Sequence, residues 1–581
     1  MALEHDNMKD AVARLAGLVN VARGLAPADL LITNAKLVNV FTGEVSPAEV
    51  LVKDGVIAGI GAGYADAVTV VDLGGMFLLP GLIDAHIHIE SSCLTPGRFA
   101  EAAILHGTTT TISDPHEIVN VMGIDGYLDM VEASKGLPVD ILYTVPSCVP
   151  ATYMETNGAD FGVDKMAEAF RVNPSAPALS EMMNYPGVTN GDPDTLSKIL
   201  LAVSLGKPVD GHSPLLSGHA LNAYTAAGPS TDHESSQASE AIEKVSKGMR
   251  VLVREGSTEK NLERILPVIK RGNSRWFCFA SDDRLAADLS IEGEMDHILR
   301  RAVSLGLDPM TAIQMATINP ALHYNLRDRG AIAPGMKADM VAVDDLASFR
   351  VRRVYKDGRL VVEDGKSLAP IHHGFPERAR RKVILPEDLA DKIKLPPLDG
   401  RGVVRVVQVL PDQIITHRKL APVSEIGPAH DVLKAVVIER HRGTGNVGVG
   451  LVSGFGLRRG AIASTVAHDS HNLVVVGVDD GDIVAAARRV AEIGGGMAVV
   501  ADGVTLAELP LPIAGLMSDM PADEVAKLHD NLNRAAESIG CALPSPFMTL
   551  SFLSLPVIPE LRITDKGVVD VGAFSIVSLS A

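Results

Sequence analysis

The tripeptide His86-Ile87-His88 closes the run Phe77 to Ala85. Side chains two apart on a strand share a face, so these two imidazoles can grip one metal ion together. Further ligand-type residues follow short apolar or small-residue runs. Glu181 follows Ala178-Leu179-Ser180, His212 follows Pro208 to Gly211, His233 and Glu234 follow Ser230 to Asp232, and Asp282 and Asp283 follow Trp276 to Ser281. Four imidazoles (His86, His88, His212, His233) and two carboxylates (Glu181, Asp282) exceed what one zinc takes. The set predicts two divalent cations bridged by a carboxylate and a water-derived hydroxide. A neighbouring carboxylate must then take the water's proton, and Asp282, at the end of the last run, is the candidate.

Residues so far apart in sequence meet only if the fold brings strand ends together. Each run is followed by a helical stretch, and a ring of parallel strands alternating with helices gathers strand C-termini on one face. The reading is α/β, with a TIM-like (β/α)8 barrel over residues 79–335. At 581 residues the chain is too long for one core, and three or four domains are expected.

Longer motifs make the resemblance specific. Met315 to Ala321 and Gly330 to Val341 resemble the segment by which the amidohydrolase superfamily leaves its barrel for a small β-sandwich. That resemblance implies sandwich halves at 28–78 and 336–385, and Asp29 to Ala35 and Val50 to Ile60, around the turn Lys53-Asp54-Gly55, read as strands. Many binuclear relatives bridge their metals with a carboxylated lysine, whereas Glu181 stands here. Glu181 with its neighbours through Gly187, and Ser113 to Glu117, resemble the adenine deaminase branch. So do Val437 to His441, Gly443 to Asn446, Ala467 to Asn472 and Leu511 to Leu516 in the last third.

What the resemblance implies is hydrolytic deamination of free adenine to hypoxanthine and ammonia, in purine salvage. Adenine and water are the expected partners, and two divalent ions, Mn2+ or Fe2+ with Zn2+ as the alternative, the expected cofactors. Glu181 would bridge the metals held by His86, His88, His212, His233 and Asp282, and Asp282 would shuttle the proton. A ring nitrogen also needs an acid, and Glu117, Glu234 and Asp283 stay open for that role. Asp114, Glu117 and Asp283 are the expected substrate contacts, His116 and His219 candidate supporting hydrogen bonders. His441, His468 and His471 would contribute from a C-terminal domain that covers the barrel mouth of its own or a neighbouring subunit. Cleavage of a cyclic amide or imide by the same hydroxide is the alternative, and a non-catalytic scaffold a remote one.

Composition narrows the partners. The balance of 53 basic against 71 acidic side chains, −18, disfavours nucleic acid. No apolar run reaches a membrane span, and Met1 to Asp6 lacks a leader pattern. The four cysteines, Cys93, Cys148, Cys278 and Cys541, lack metal spacing and read as small buried hydrophobes in a reducing cytoplasm. Within residues 1–27, Val12, Leu15, Leu18, Val19 and Ala22 recur at helical spacing, predicting a helix packed on the main body or on a neighbour in a homodimer or higher homo-oligomer. A basic stretch, Arg378 to Lys382, reads as a solvated face, and Leu395 to Gly400 as linker. Over 386–581, strands at Val403 to Leu410, Leu473 to Val478 and Met497 to Val500 and a helix at Asp482 to Ile493 predict an α/β or α+β domain. Gly494-Gly495-Gly496 follows that helix, which argues against a phosphate loop.

Overall fold

The computed structural model describes residues 5–64, 66–257, 259–380, 383–398, 400, 402–411 and 413–581. Eight parallel strands follow one another around a closed ring: Leu82–Ile87, Thr108–Ser113, Asp140–Tyr143, Leu179–Met182, Val209–Gly211, Thr231–Asp232, Arg250–Arg254 and Phe277–Ala280. Single bridges join Val145 to Leu179, Val209 to Pro229 and Ile87 to Asp282. The last closes the ring, because the Asp282 N–H donates to the His86 carbonyl and the His88 N–H to the Asp282 carbonyl. First and last strands are thus stitched at residues that carry ligand side chains.

Barrel strands are covered on both faces, so they read as unbroken apolar or β-branched runs instead of alternating ones. Thr108 to Thr111 are buried without exception, their branched Cβ suiting a strand. Proline starts the intervening helices Pro193–Ser204 and Pro309–Met315, behind Asp192 and Asp308, whose carboxylates accept from the Thr195 and Thr311 N–H groups. Gly107, at φ +81°, turns the chain from helix Pro96–Ile104 into the second strand, where a Cβ would press on Val341 at 3.0 Å.

The segments flanking the barrel join one another. Phe77–Pro80 pairs antiparallel with Met340–Val343, which unites the strands between Ala28 and Pro80 with those between Met340 and Ser367 in one nine-stranded sheet. Leu30, Ile32, Val50, Ile57, Leu78 and Met340 fill its core. Asp140, at the entry of the third barrel strand, ties sheet to barrel by accepting Arg329, Lys337 and Lys356 on one oxygen. The N-terminal helix His5–Ala22 lays Leu18 and Val21 on the sheet. Val12, Leu15 and Val19 are exposed, so only part of the predicted apolar stripe packs on the body: it runs partly along the far side of the helix.

The last third is α+β. An eight-stranded sheet runs in the order Thr416–Pro422, Val403–Val409, Val447–Ser453, Leu433–Ile438, Leu473–Gly477, Ala461–Ser464, Gly496–Ala501, Val504–Pro510. Only the pair Val403–Val409 and Val447–Ser453 is parallel. Helix Asp480–Glu492, capped by Asp479, covers one face. The basic stretch does more than face water: Arg378 reaches the buried Asp129 at 2.6 Å and Arg380 reaches Asp519 at 2.5 Å. Arg381, Lys382 and Asp399 lie outside the described residues. One apolar core is continuous from the barrel (Leu94, Phe99) to the last third (Met517, Val525, Phe547). All four cysteines are buried and free, and among the described residues no helix is long and apolar enough to cross a membrane.

Candidate active site

At the C-terminal mouth of the barrel, the Nε2 atoms of His86 and His88 face each other at 3.2 Å. His88 Nδ1 lies 3.0 Å from the Asp114 carbonyl, which can only accept, so Nδ1 carries a proton and Nε2 faces the site. The carboxylate of Glu181 turns its two oxygens to different imidazoles. Oε1 is 3.4 Å from His88 Nε2 and 3.5 Å from His116 Nδ1, while Oε2 is 2.7 Å from His212 Nδ1 and 3.0 Å from His233 Nε2. Asp282 Oδ1 completes the cluster, 3.2 Å from His88 Nε2 and 3.7 Å from His86 Nε2.

The backbone fixes these side chains. Asp282 sits in the left-handed region at φ +57°, an uncommon conformation for a residue with a Cβ, where the chain leaves the last strand. Asp232, ahead of His233, accepts Ser213, Ser235 and the wholly buried Lys244, which anchors the sixth strand's end.

Charge states suit cations. Burial alone would raise Glu181, but His212 and His233 hold its carboxyl well below the usual range. Burial likewise opposes ionisation of Asp282, and the Arg254 guanidinium and His233 overcome it. Burial, with His233 beside it, pushes the His86 imidazole well below its ordinary value. Glu181 and Asp282 in turn raise His88 and His233, and Glu181 raises His212, against the burial that opposes charge on them. Carboxylate oxygens and imidazole nitrogens gathered this closely are a donor set that fits divalent ions. His86, His88 and Asp282 form one group able to hold a cation, and His86, Glu181 and His233 another.

Two further groups flank the cluster. Arg254, at the end of the seventh strand and 4% exposed, pairs with Glu234 (2.7 Å), Glu259 (2.8 Å), Asp282 (2.8 Å) and Asp283 (2.7 Å). Opposite, Ser91 Oγ lies 2.9 Å from Glu117 and 2.6 Å from Asp283. Burial, with the charge of Glu90 next to it, pushes the Glu117 carboxyl up to about 8, so that it keeps a proton near neutrality.

The same chain's last third closes the mouth. His468 Nδ1 is 3.3 Å from Glu117 Oε1, its ring stacked on Phe552, and Asp469 is 3.8 Å from His116 Nε2. His471 Nδ1 accepts the Ala467 N–H, so Nε2 holds the proton of the neutral ring. In this arrangement Nε2 offers no lone pair to a metal, although the ring lies with Glu117 and His468 in a compact buried group able to hold a cation. The resulting cavity is bounded by ligand residues from the barrel and by Ile414, Phe552, Leu555 and Ile558, an apolar roof from the last third. A roomier groove beside the nine-stranded sheet is lined by charges of both signs and by no histidine or cysteine.

Of the residues singled out in the sequence, His86, His88, Glu181, His212, His233 and Asp282 come together, with Glu117, Glu234, Asp283 and His468 around the cavity. Asp114 is not among the residues lining the cavity: its carbonyl faces His88 Nδ1 and its carboxylate His116, and with His88, His116 and Glu181 it makes a further buried group able to hold a cation. His441 bonds the Ser470 carbonyl, outside the cavity, and His219 is exposed at a helix start. Sequence reasoning missed Arg254, Glu259, Ser91 and the roof. Arg254 had a signal, since it ends the run Val251-Leu252-Val253 as the ligands end theirs.

The sequence pattern of the Amidohydrolase family matches residues 77–361, and that of the Adenine deaminase C-terminal domain matches residues 413–575. An adenine deaminase of Desulfatibacillum aliphaticivorans is 48% identical, over 97% of this chain and 99% of its own. Adenine deaminase 2 of Carboxydothermus hydrogenoformans is 48% identical over 97% and 99%, and an adenine deaminase of Kosmotoga olearia 44% over 97% and 98%. Such identity, sustained through barrel and last third alike, means that the chain belongs to the adenine deaminase family, within the amidohydrolases.

Proposed function

We propose that the protein hydrolyses adenine to hypoxanthine and ammonia with two divalent cations. The observation that carries this reading is Glu181, whose oxygens are shared between separate imidazole sets beside a cavity that also holds the buried carboxyl of Glu117. His86, His88 and Asp282 would hold one ion, His212 and His233 the other, with Glu181 between. When bound, such ions supply Lewis acidity that makes water a nucleophile near neutral pH. Mn2+ or Fe2+ suits the imidazole and carboxylate set, with Zn2+ the alternative.

The chain's own residues do the rest. Asp282, kept ionised by Arg254 and His233, takes the proton of the attacking water. Addition at C6 breaks the ring's aromaticity and places an electron pair on a ring nitrogen, to which Glu117 gives its proton. Asp282 then returns the proton it took to the amino group, which leaves as ammonia while the C6 hydroxyl gives up its proton to become the carbonyl of hypoxanthine, and that proton restores Glu117. Asp283 and Glu234 are committed to Arg254, and we assign them to orientation. Phe552 and Ile558 offer the flat base an apolar face and exclude water. The setting we infer is purine salvage in a reducing cytoplasm, in keeping with four free cysteines. Incubating the metal-loaded protein with free purines, pyrimidines and cyclic imides, while following ammonia release and ring opening, tests the reading. Ammonia from adenine is expected. Opening of an imide without deamination of adenine would overturn it.

A further inference from the structure

Arg562 is 1% exposed, and among the described residues no carboxylate pairs with it. A guanidinium taken out of water without a counter-charge is costly, and it persists only where its hydrogens are met. Here four N–H groups go to backbone carbonyls: Nε to Ile558 (2.7 Å), Nη1 to Phe552 (2.8 Å), and Nη2 to Ile414 (2.6 Å) and Pro559 (3.1 Å). Three of those carbonyls belong to Ile414, Phe552 and Ile558, whose side chains roof the cavity. The roof comes from two segments far apart in the chain, one before strand Thr416–Pro422 and one before strand Leu561–Thr564. The Thr416 and Glu560 backbones tie these segments at their edge, and the planar fork of Arg562 spans their middle.

We propose that Arg562 is a positioning residue for substrate: it is not among the residues lining the cavity, and through its bonds to the roof carbonyls it holds in place the apolar face against which a flat purine would lie. This rests on the function proposed above. The ligands and Asp282 stand at barrel strand ends and Glu117 on the helix His116–Met122, and Arg562 bonds none of them, so its loss should slacken the grip on the base and spare the chemistry. An aromatic face stacked on a base is commonly worth about one to two powers of ten in affinity. Arg562→Met should therefore raise KM for adenine about tenfold or more, with kcat within about threefold and metal content unchanged. Arg562→Lys, with three donors but no fork, should fall between the two.

Phe552→Ala supplies the decisive cycle. If Arg562 acts through the roof, Phe552→Ala combined with Arg562→Met should raise KM little beyond Phe552→Ala alone, whereas independent effects multiply. Steady-state kinetics on metal-loaded full-length protein reads all four combinations. Should the Met variant not fold, the Lys variant carries the same cycle. An unchanged KM, a fall in kcat at constant KM, or multiplying effects would overturn the proposal. A wild-type protein inert toward adenine would overturn the proposed function instead, which keeps the two failures apart.

Discussion

Replacing Arg254 by methionine tests whether one buried cation organises the acids of the site. Four carboxylates, on Glu234, Glu259, Asp282 and Asp283, lie 2.7 to 2.8 Å from its nitrogens. Methionine keeps much of the volume and removes the charge. Breaking a buried ion pair from one side costs about 3–5 kcal/mol, and here several acids lose their partner at once. The lower bound is the fair expectation for stability, because carboxyls left unpaired can take up protons. For turnover the Asp282 term dominates. A general base with lost orientation forfeits about 10² to 10⁴ in rate, and the other ligands still hold Asp282 in part, so kcat should fall about 10²- to 10³-fold. Metal content should hold, since losing a cation beside the cluster leaves it more negative. Arg254→Lys places one ammonium where a fork met four acids and should recover about tenfold over methionine. Ammonia release, elemental analysis and denaturant unfolding measure the three quantities. A folded, fully metallated Arg254→Met enzyme with kcat within about threefold of wild type would refute the reasoning.

Two further expectations concern the metals and the joint between barrel and sheet. Replacing His86 and His88 together by alanine should empty at least one cation position without unfolding the barrel, and unchanged metal stoichiometry would remove both from the ligand set. For Asp140, burial would raise the carboxyl, but Lys356, Arg329 and Lys337 hold it well below the usual range. Such a group contributes stability that is complete above the unfolded value of about 3.9 and is lost as pH falls through the lower folded one. Asp140→Asn should cost about 2–4 kcal/mol at neutral pH, and unfolding curves of variant and wild type should draw together below about pH 4. A difference independent of pH would show that the charge is not the cause.

The half of the site borne on barrel strands was legible because chemistry and position coincide there: His86, His88, Glu181, His233 and Asp282 each end or follow a short run that can only be a strand. Arg254 obeys the same rule and was passed over because arginine is not a ligand type. The flanking sheet could be read from its turns. Pairing of Phe77–Pro80 with Met340–Val343 spans the whole barrel, and no local pattern encodes it. Apolar runs such as Leu433–Ile438 and Leu473–Gly477 look alike whether neighbours run parallel or antiparallel, which left the last domain's class open until the pairing was seen.

The roof was illegible for a different reason. Ile414, Phe552 and Ile558 lie in irregular segments where an apolar residue signifies core, and only the fold shows that they line one cavity with Asp282. The histidines nearby were conspicuous by type, yet His471 spends Nδ1 on a backbone N–H and His441 bonds a carbonyl. The same continuity of packing that seats the roof joins Leu94 and Phe99 to Met517 and Phe547 in one core. The two parts therefore do not separate at the linker near Pro386: cutting there would bare that core and remove the cover of the site together. A site assembled at such a joint is divided between residues that carry reactive groups, which residue type reveals, and residues that hold carbonyls and faces in place. Arg562 belongs to the second kind, and only its bonds distinguish it from a surface arginine at the start of a strand.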